Sequence, residues 1–125
     1  MKTALIIEDN ENNLELIKFI LEQANYKTRF AMTGLAGVQQ ALTIPPDFVI
    51  LDIQLPDING LEVLKRIRAH PVGKDIPVIA MTSYAMSGDK ERLMEAGCTG
   101  YIEKPIDPML VIGQIEKVIG KGSHK

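Results

Sequence analysis

The sequence predicts a doubly wound α/β domain built on a five-stranded parallel sheet. Three observations predict it. Short apolar runs alternate with segments of helical periodicity along the 125 residues. The connections between them are short and carry turn residues, and no repeat exceeds one strand-plus-helix unit. Several of the apolar runs end in a charge or a hydroxyl, the clearest being Phe48-Val49-Ile50-Leu51-Asp52. A strand apolar along its whole length is buried on both faces, as parallel strands covered by helices are.

The elements follow in order. Thr3-Ala4-Leu5-Ile6-Ile7 reads as a buried strand stopped by Glu8-Asp9-Asn10. From Glu11 to Ala24 the apolar residues Leu14, Ile17, Ile20, Leu21 and Ala24 recur at helical spacing. Tyr26 to Met32 is a more polar strand, with Lys27 and Arg29 alternating against apolar neighbours as at a sheet edge. Thr33-Gly34 opens a second helix with a stripe of Leu35, Val38, Ala41 and Leu42, ended by Ile44-Pro45-Pro46. The strand ending in Asp52 comes next. Asn59 with Glu62 forms a capping-box pattern for a third helix, with Leu61, Leu64 and Ile67 inward. His70 to Asp75 is a loop, and Ile76 to Met81 a buried strand ending in Thr82-Ser83. Ser87 can cap a fourth helix that stops at Ala96-Gly97. Cys98 to Glu103 is the fifth strand, ending in Lys104-Pro105. Asp107-Pro108 supplies an N-cap and N1 proline for the last helix, lined by Val111, Ile115, Val118 and Ile119. Residues 1–120 thus form one domain, and 121–125 a polar tail.

Right-handed crossovers on both faces make the sheet doubly wound. The polar second strand belongs at an edge, which gives strand order 2-1-3-4-5, the flavodoxin-like arrangement. The first and third strands then flank the switch point, where open α/β sheets place their chemistry.

Composition bounds the partners. Apolar residues make up 46% and charged residues 24%, the globular norm, which argues against disorder. Fourteen basic against sixteen acidic residues give a net charge of −2, so no strong field draws nucleic acid or an anionic membrane. No apolar run approaches the roughly 18 residues of a membrane span, and Met1-Lys2-Thr3 does not open a leader. The lone Cys98 cannot form an internal disulfide and reads as a small core residue in a reducing compartment. The expectation is a soluble, cytoplasmic protein.

At one end of the predicted sheet, four strands deliver reactive groups: Glu8 and Asp9, Asp52, Thr82 with Ser83, and Lys104. The second strand ends in Ala31-Met32 and carries none. Three neighbouring carboxylates repel one another unless positive charge is present. Lys104 supplies one charge, and a divalent cation would supply more. Carboxylates, a loop carbonyl and water suit Mg²⁺ or Mn²⁺, and no Cys/His set suits zinc. A carboxylate beside Mg²⁺, a lysine and a hydroxyl is a phosphoryl-transfer arrangement with Asp52 as nucleophile.

Five segments carry a resemblance at this point. Ile7-Glu8-Asp9-Asn10, Val49-Ile50-Leu51-Asp52, Leu55-Pro56-Asp57-Ile58-Asn59-Gly60, Ile79-Ala80-Met81-Thr82 and Tyr101-Ile102-Glu103-Lys104-Pro105 resemble the receiver domain of two-component response regulators. The resemblance spans residues 3–120. Each motif alone is weak, while five in order at the right strand ends are specific. The run Glu8 to Asn13 further resembles stand-alone receivers and those fused to hybrid kinases.

The resemblance implies that Asp52 accepts phosphate from a phosphohistidine on a histidine kinase or histidine phosphotransfer protein. It implies that Asp9, Asp52 and the Gln54 backbone carbonyl bind Mg²⁺, with Glu8 acting mainly through metal-bound water. Lys104 and Thr82 would read the phosphoryl group, and Thr82 and Tyr101 would move inward on phosphorylation. The surface of the fourth helix, fifth strand and fifth helix would then be read by a protein effector. The Lys104–Pro105 peptide is expected to be cis. Gln54 and Tyr84, two positions beyond Asp52 and Thr82, flank the path of the hydrolytic water and are expected to tune phosphate lifetime.

Other readings fit less well. An aspartate-nucleophile phosphatase of the haloacid dehalogenase type needs a general-acid Asp two residues after the nucleophile, and Gln54 stands there. A flavodoxin would need a phosphate loop where Glu8-Asp9-Asn10-Glu11 would repel phosphate. A dinucleotide fold would need a glycine-rich turn at the same place. A degenerate receiver is disfavoured because every site position is filled. The expectation is therefore a signalling phospho-acceptor rather than an enzyme acting on a separate substrate, binding neither nucleic acid nor membrane. It is read as a single-domain receiver, with Met1 two residues before the first strand. The alternative is a receiver belonging to a hybrid histidine kinase or a DNA-binding regulator.

Overall fold

The computed structural model describes residues 1–83 and 89–120. Its five strands are β1 (Thr3–Ile7), β2 (Lys27–Ala31), β3 (Phe48–Asp52), β4 (Val78–Thr82) and β5 (Gly100–Glu103). All pair in parallel, in the order β2-β1-β3-β4-β5. Between and after them run α1 (Glu11–Gln23), α2 (Gly34–Thr43), α3 (Gly60–Arg68), α4 (Asp89–Glu95) and α5 (Val111–Ile119). This is the doubly wound, flavodoxin-like fold that the alternation predicts. Among the described residues, no helix is long and apolar enough to cross a membrane.

Two cores sandwich the sheet. On one face Leu14, Ile17 and Leu21 of α1 and Val111 and Ile115 of α5 pack on Ala4, Ile6, Phe48, Ile50, Ile79 and Met81. On the other, Ala41 of α2, Val63, Leu64 and Ile67 of α3 and Leu93 of α4 pack on Leu5, Ile7, Val49, Leu51, Val78 and Ala80. β3 and β4 are buried along their whole lengths, so their carboxyl ends are fixed points of the molecule.

Helix ends follow from local chemistry. Asn10, Thr33 and Asn59 each accept, through their side chains, a first-turn backbone N–H of α1, α2 and α3. Glu62 does not complete a capping box, because its carboxylate turns to Arg66 at 2.9 Å. α4 ends at Glu95, just before the expected Ala96-Gly97 stop, where Gly97 takes a φ of +107° that suits glycine and the Cys98 N–H reaches back to the Leu93 carbonyl.

Several expectations change. Leu35 is not part of the buried stripe of α2 but is 49% exposed. The inward positions are Gly34, Gly37 and Ala41. A Cβ on Gly37 would lie 2.5 Å from Ile7 Cδ1, so the helix approaches the sheet through its glycines. Arg29 does not point freely from the edge strand. Its guanidinium donates to the Ile44 carbonyl at 2.7 Å and the Gln40 carbonyl at 3.4 Å, at the carboxyl end of α2, while Phe30 is 48% exposed. Leu61 is only partly buried, and Val63 takes its place. β4 begins at Val78 and includes Thr82, and β5 begins at Gly100. A 3-10 turn at Pro71–Gly73 occupies the loop after α3. Asp107 does not start α5. It closes a turn, accepting the Met109 N–H at 2.9 Å, and the regular helix begins at Val111. The expected Ser87 cap, Tyr84 and the tail 121–125 lie outside the described residues.

Candidate functional site

The parallel register brings four strand ends to one edge. β1 runs out into Glu8 and Asp9, β3 ends in Asp52, β4 ends in Thr82, and β5 leads into Lys104. Pairing of Asp52 with Met81 and of Thr82 with Glu103 sets these ends level. β2 ends in Ala31 and contributes only its carbonyl, which accepts the Glu8 N–H at 3.0 Å.

Carboxylate oxygens of Glu8, Asp9 and Asp52 lie within 4.8 Å of one another. Glu8 is fully buried, Asp52 is 3% exposed, and Asp9 is exposed. Lys104 enters this cluster with its Nζ 3.1 Å from Asp52 Oδ1 and 3.7 Å from Glu8 Oε1. The Gln54 N–H also donates to Asp52 Oδ1, at 3.1 Å. The Lys104–Pro105 peptide is cis, as the resemblance implies.

Burial pushes the Glu8 carboxyl up to about 7. The Asn10 N–H donating to it and the Lys104 charge oppose the shift, and the neighbouring Asp52 charge adds to it. Among the described residues, Glu8 Oε1 is buried with no hydrogen-bond partner, the Lys104 ammonium standing off at 3.7 Å. A buried carboxylate oxygen left open beside two more carboxylates is a position a cation would fill. The donors are all oxygen, which suits Mg²⁺ or Mn²⁺ rather than a softer ion. The residues present therefore fit such an ion.

Thr82 is 5% exposed, and its carbonyl accepts the Lys104 N–H at 2.9 Å. Gln54 and Thr82 both line a cleft between the β3–α3 loop and α4. Tyr101 stands apart from the carboxylates. It is half-buried on the α3 and α4 face of the sheet, with Lys90 Nζ 5.1 Å from its ring centroid. Asp57 binds elsewhere. Its two oxygens accept the Leu35 and Gly34 N–H groups at 2.9 and 2.8 Å, which holds its carboxyl down at about 2. Its partners lie 22 and 23 positions away, so no local pattern in the sequence marks the helix it caps.

A five-stranded parallel sheet in this order, with an acidic cluster and a lysine at its carboxyl edge, defines a receiver-type signalling domain. The chain belongs to the response regulator receiver domain family, whose model matches residues 4–116. It is 40% identical over 119 residues to the polar-differentiation response regulator DivK of Brucella ovis, covering 95% of this chain and 97% of that protein. Among solved structures it is similar to a putative response regulator of Chloroflexus aurantiacus, with 31% identity, a TM-score of 0.89, and 94% and 97% of the two chains covered. It is also similar to the receiver domain of a sensor histidine kinase of Pseudomonas aeruginosa, solved with a magnesium ion in its active-site cleft. There the identity is 29%, the TM-score 0.87, and the coverage 95% and 98%.

Proposed function

We propose that this chain is the phospho-accepting receiver of a two-component or phosphorelay system, with residues 1–120 as the receiver domain and 121–125 as a polar tail. Asp52 takes a phosphoryl group from a phosphohistidine on a histidine kinase or histidine phosphotransfer protein. An Asp52 carboxylate oxygen attacks phosphorus, the phosphorus–nitrogen bond breaks, and the imidazole leaves with the electron pair and takes a proton. The observation that carries this reading is the buried Asp52 at the end of the central strand, ion-paired to Lys104 and clustered with Glu8 and Asp9.

Asp9, Asp52 and the Gln54 carbonyl would hold Mg²⁺, with Glu8 acting through a bound water. The ion supplies charge neutralisation for the phosphoryl oxygens. Lys104 binds another phosphoryl oxygen, where transition-state charge develops. The Thr82 hydroxyl moves in to the aspartyl phosphate, and Tyr101 follows it inward. The surface of α4, β5 and α5 then changes and is read by a protein effector in the cytoplasm. The chemistry is the chain's own phosphorylation and dephosphorylation, with no separate substrate turned over. Gln54 and Tyr84 set how long the phosphate persists.

Acetyl phosphate with Mg²⁺ should label the parent protein, and both Asp52→Asn and EDTA should abolish labelling. An Asp52→Asn protein that still labels would overturn the acceptor assignment, and labelling that persists in EDTA would remove the metal.

A further inference from the structure

Asp57 joins two elements that sequence places far apart. The backbone N–H groups of the first four residues of α2, Gly34 to Gly37, all have partners. Thr33 Oγ1 takes the Ala36 N–H and the Thr33 carbonyl takes that of Gly37. Asp57 takes the Gly34 and Leu35 N–H groups from across the domain. Beside this contact, Ile58 packs so closely on Gly34 that a Cβ there would lie 2.6 Å from Ile58 Cγ1.

The segment 53–59 that carries these two residues is the loop leaving Asp52. Its ends are fixed: the Ile53 N–H donates to the Met81 carbonyl, the Gly60 N–H returns to the Ile53 carbonyl, and Asn59 caps α3. Between those ends, the Gln54 N–H bonds back to the Asp52 side chain. Among the described residues, the Asp57 carboxylate makes the hydrogen bonds that tie the middle of this loop to another element. Gln54 stands three positions before it, in the same short span.

We propose that Asp57 is a positioning residue for the acceptor site, locking the Asp52–Gly60 loop onto the start of α2 so that the Gln54 carbonyl is held toward the carboxylate cluster. The inference rests on the reading of Gln54 as a metal ligand. Asp57 is not a member of the Glu8, Asp9 and Asp52 cluster. A capping role confined to α2 would cost stability and nothing else. A positioning role also weakens the metal, because groups that orient ligands set affinity.

The test compares Asp57→Ala with Thr33→Ala, which strips a cap from the same helix turn without touching the loop. Calorimetric titration with Mg²⁺ and acetyl phosphate labelling at graded Mg²⁺ give the binding constant and the maximal labelling rate separately. Asp57→Ala should weaken Mg²⁺ binding roughly tenfold, with labelling recovered at saturating Mg²⁺, while Thr33→Ala keeps the parent constant. Asp57→Asn, which retains one acceptor oxygen, should fall between them, and it carries the comparison should Asp57→Ala not fold. An unchanged Mg²⁺ constant in both Asp57 variants, or an equal loss in Thr33→Ala, would overturn the proposal. Failure of the metal reading as a whole is distinct, because the parent protein itself would then bind no Mg²⁺.

Discussion

Lys104 Nζ lies 3.1 Å from Asp52 Oδ1, so the lysine after β5 spans past β4 to hold the carboxylate at the end of β3. The lysine side chain is 18% exposed and the aspartate 4%. A pair this enclosed is not a surface ion pair, whose contribution is small. Lys104 Nζ also stands 3.7 Å from the buried Glu8 carboxylate.

Lys104→Met should therefore leave Asp52 and Glu8 without their shared cation. Removing one partner of a buried pair costs about 3 kcal/mol. The loss should appear in urea melts recorded in EDTA and shrink when Mg²⁺ is added, since the ion replaces the missing charge. Labelling by acetyl phosphate should also fall at saturating Mg²⁺, because a phosphoryl oxygen loses its donor. A variant as stable as the parent in EDTA would show that the pair contributes nothing to the metal-free fold.

Gln54→Ala and Tyr84→Ala, combined, should shorten the lifetime of the aspartyl phosphate several-fold. The Gln54 side chain is exposed at the cleft it shares with Thr82, where a water would approach Asp52. Truncating both removes the bulk that the proposed lifetime role assigns to them. Phosphate release after removal of the donor measures the decay, and an unchanged rate in the double variant would discard the idea.

The site was legible in the sequence because strand ends are. Each apolar run measures its own strand, and the residue that breaks it lies at the edge, so Glu8, Asp52, Thr82 and Lys104 could be gathered before their distances were known. Helix packing was less legible. Hydropathy credits Leu35 and gives glycine no side chain, yet Gly34 and Gly37 face the core, because α2 lies too close for anything larger. Polar contacts between distant segments left no local trace either. Asp57 on α2 is one case. Arg68 is another: its guanidinium donates to the Gly73 and Gly97 carbonyls and ties the end of α3 to the end of α4. The burial of the adjacent carboxylates Glu8 and Asp9 was also open in the sequence. Only the fold separates buried Glu8 from exposed Asp9.

That separation gives the metal-free protein a pH dependence. The Glu8 carboxyl stands at about 7, against an ordinary 4.5, chiefly because burial disfavours its charge. Below about 4.5 the group is protonated in both folded and unfolded chains, and its full contribution to stability is present. As pH rises from there, the unfolded chain releases the proton first, and the contribution is lost as pH passes through about 7. In EDTA, Tm should accordingly fall between pH 5 and pH 8, and Glu8→Gln should flatten that slope and raise Tm at pH 8. Mg²⁺ competes with the same proton, so its affinity for the parent should climb over the same interval and its stabilising effect should be largest at pH 8. Parent and Glu8→Gln curves that run parallel from pH 5 to pH 8 would show that another group governs the slope.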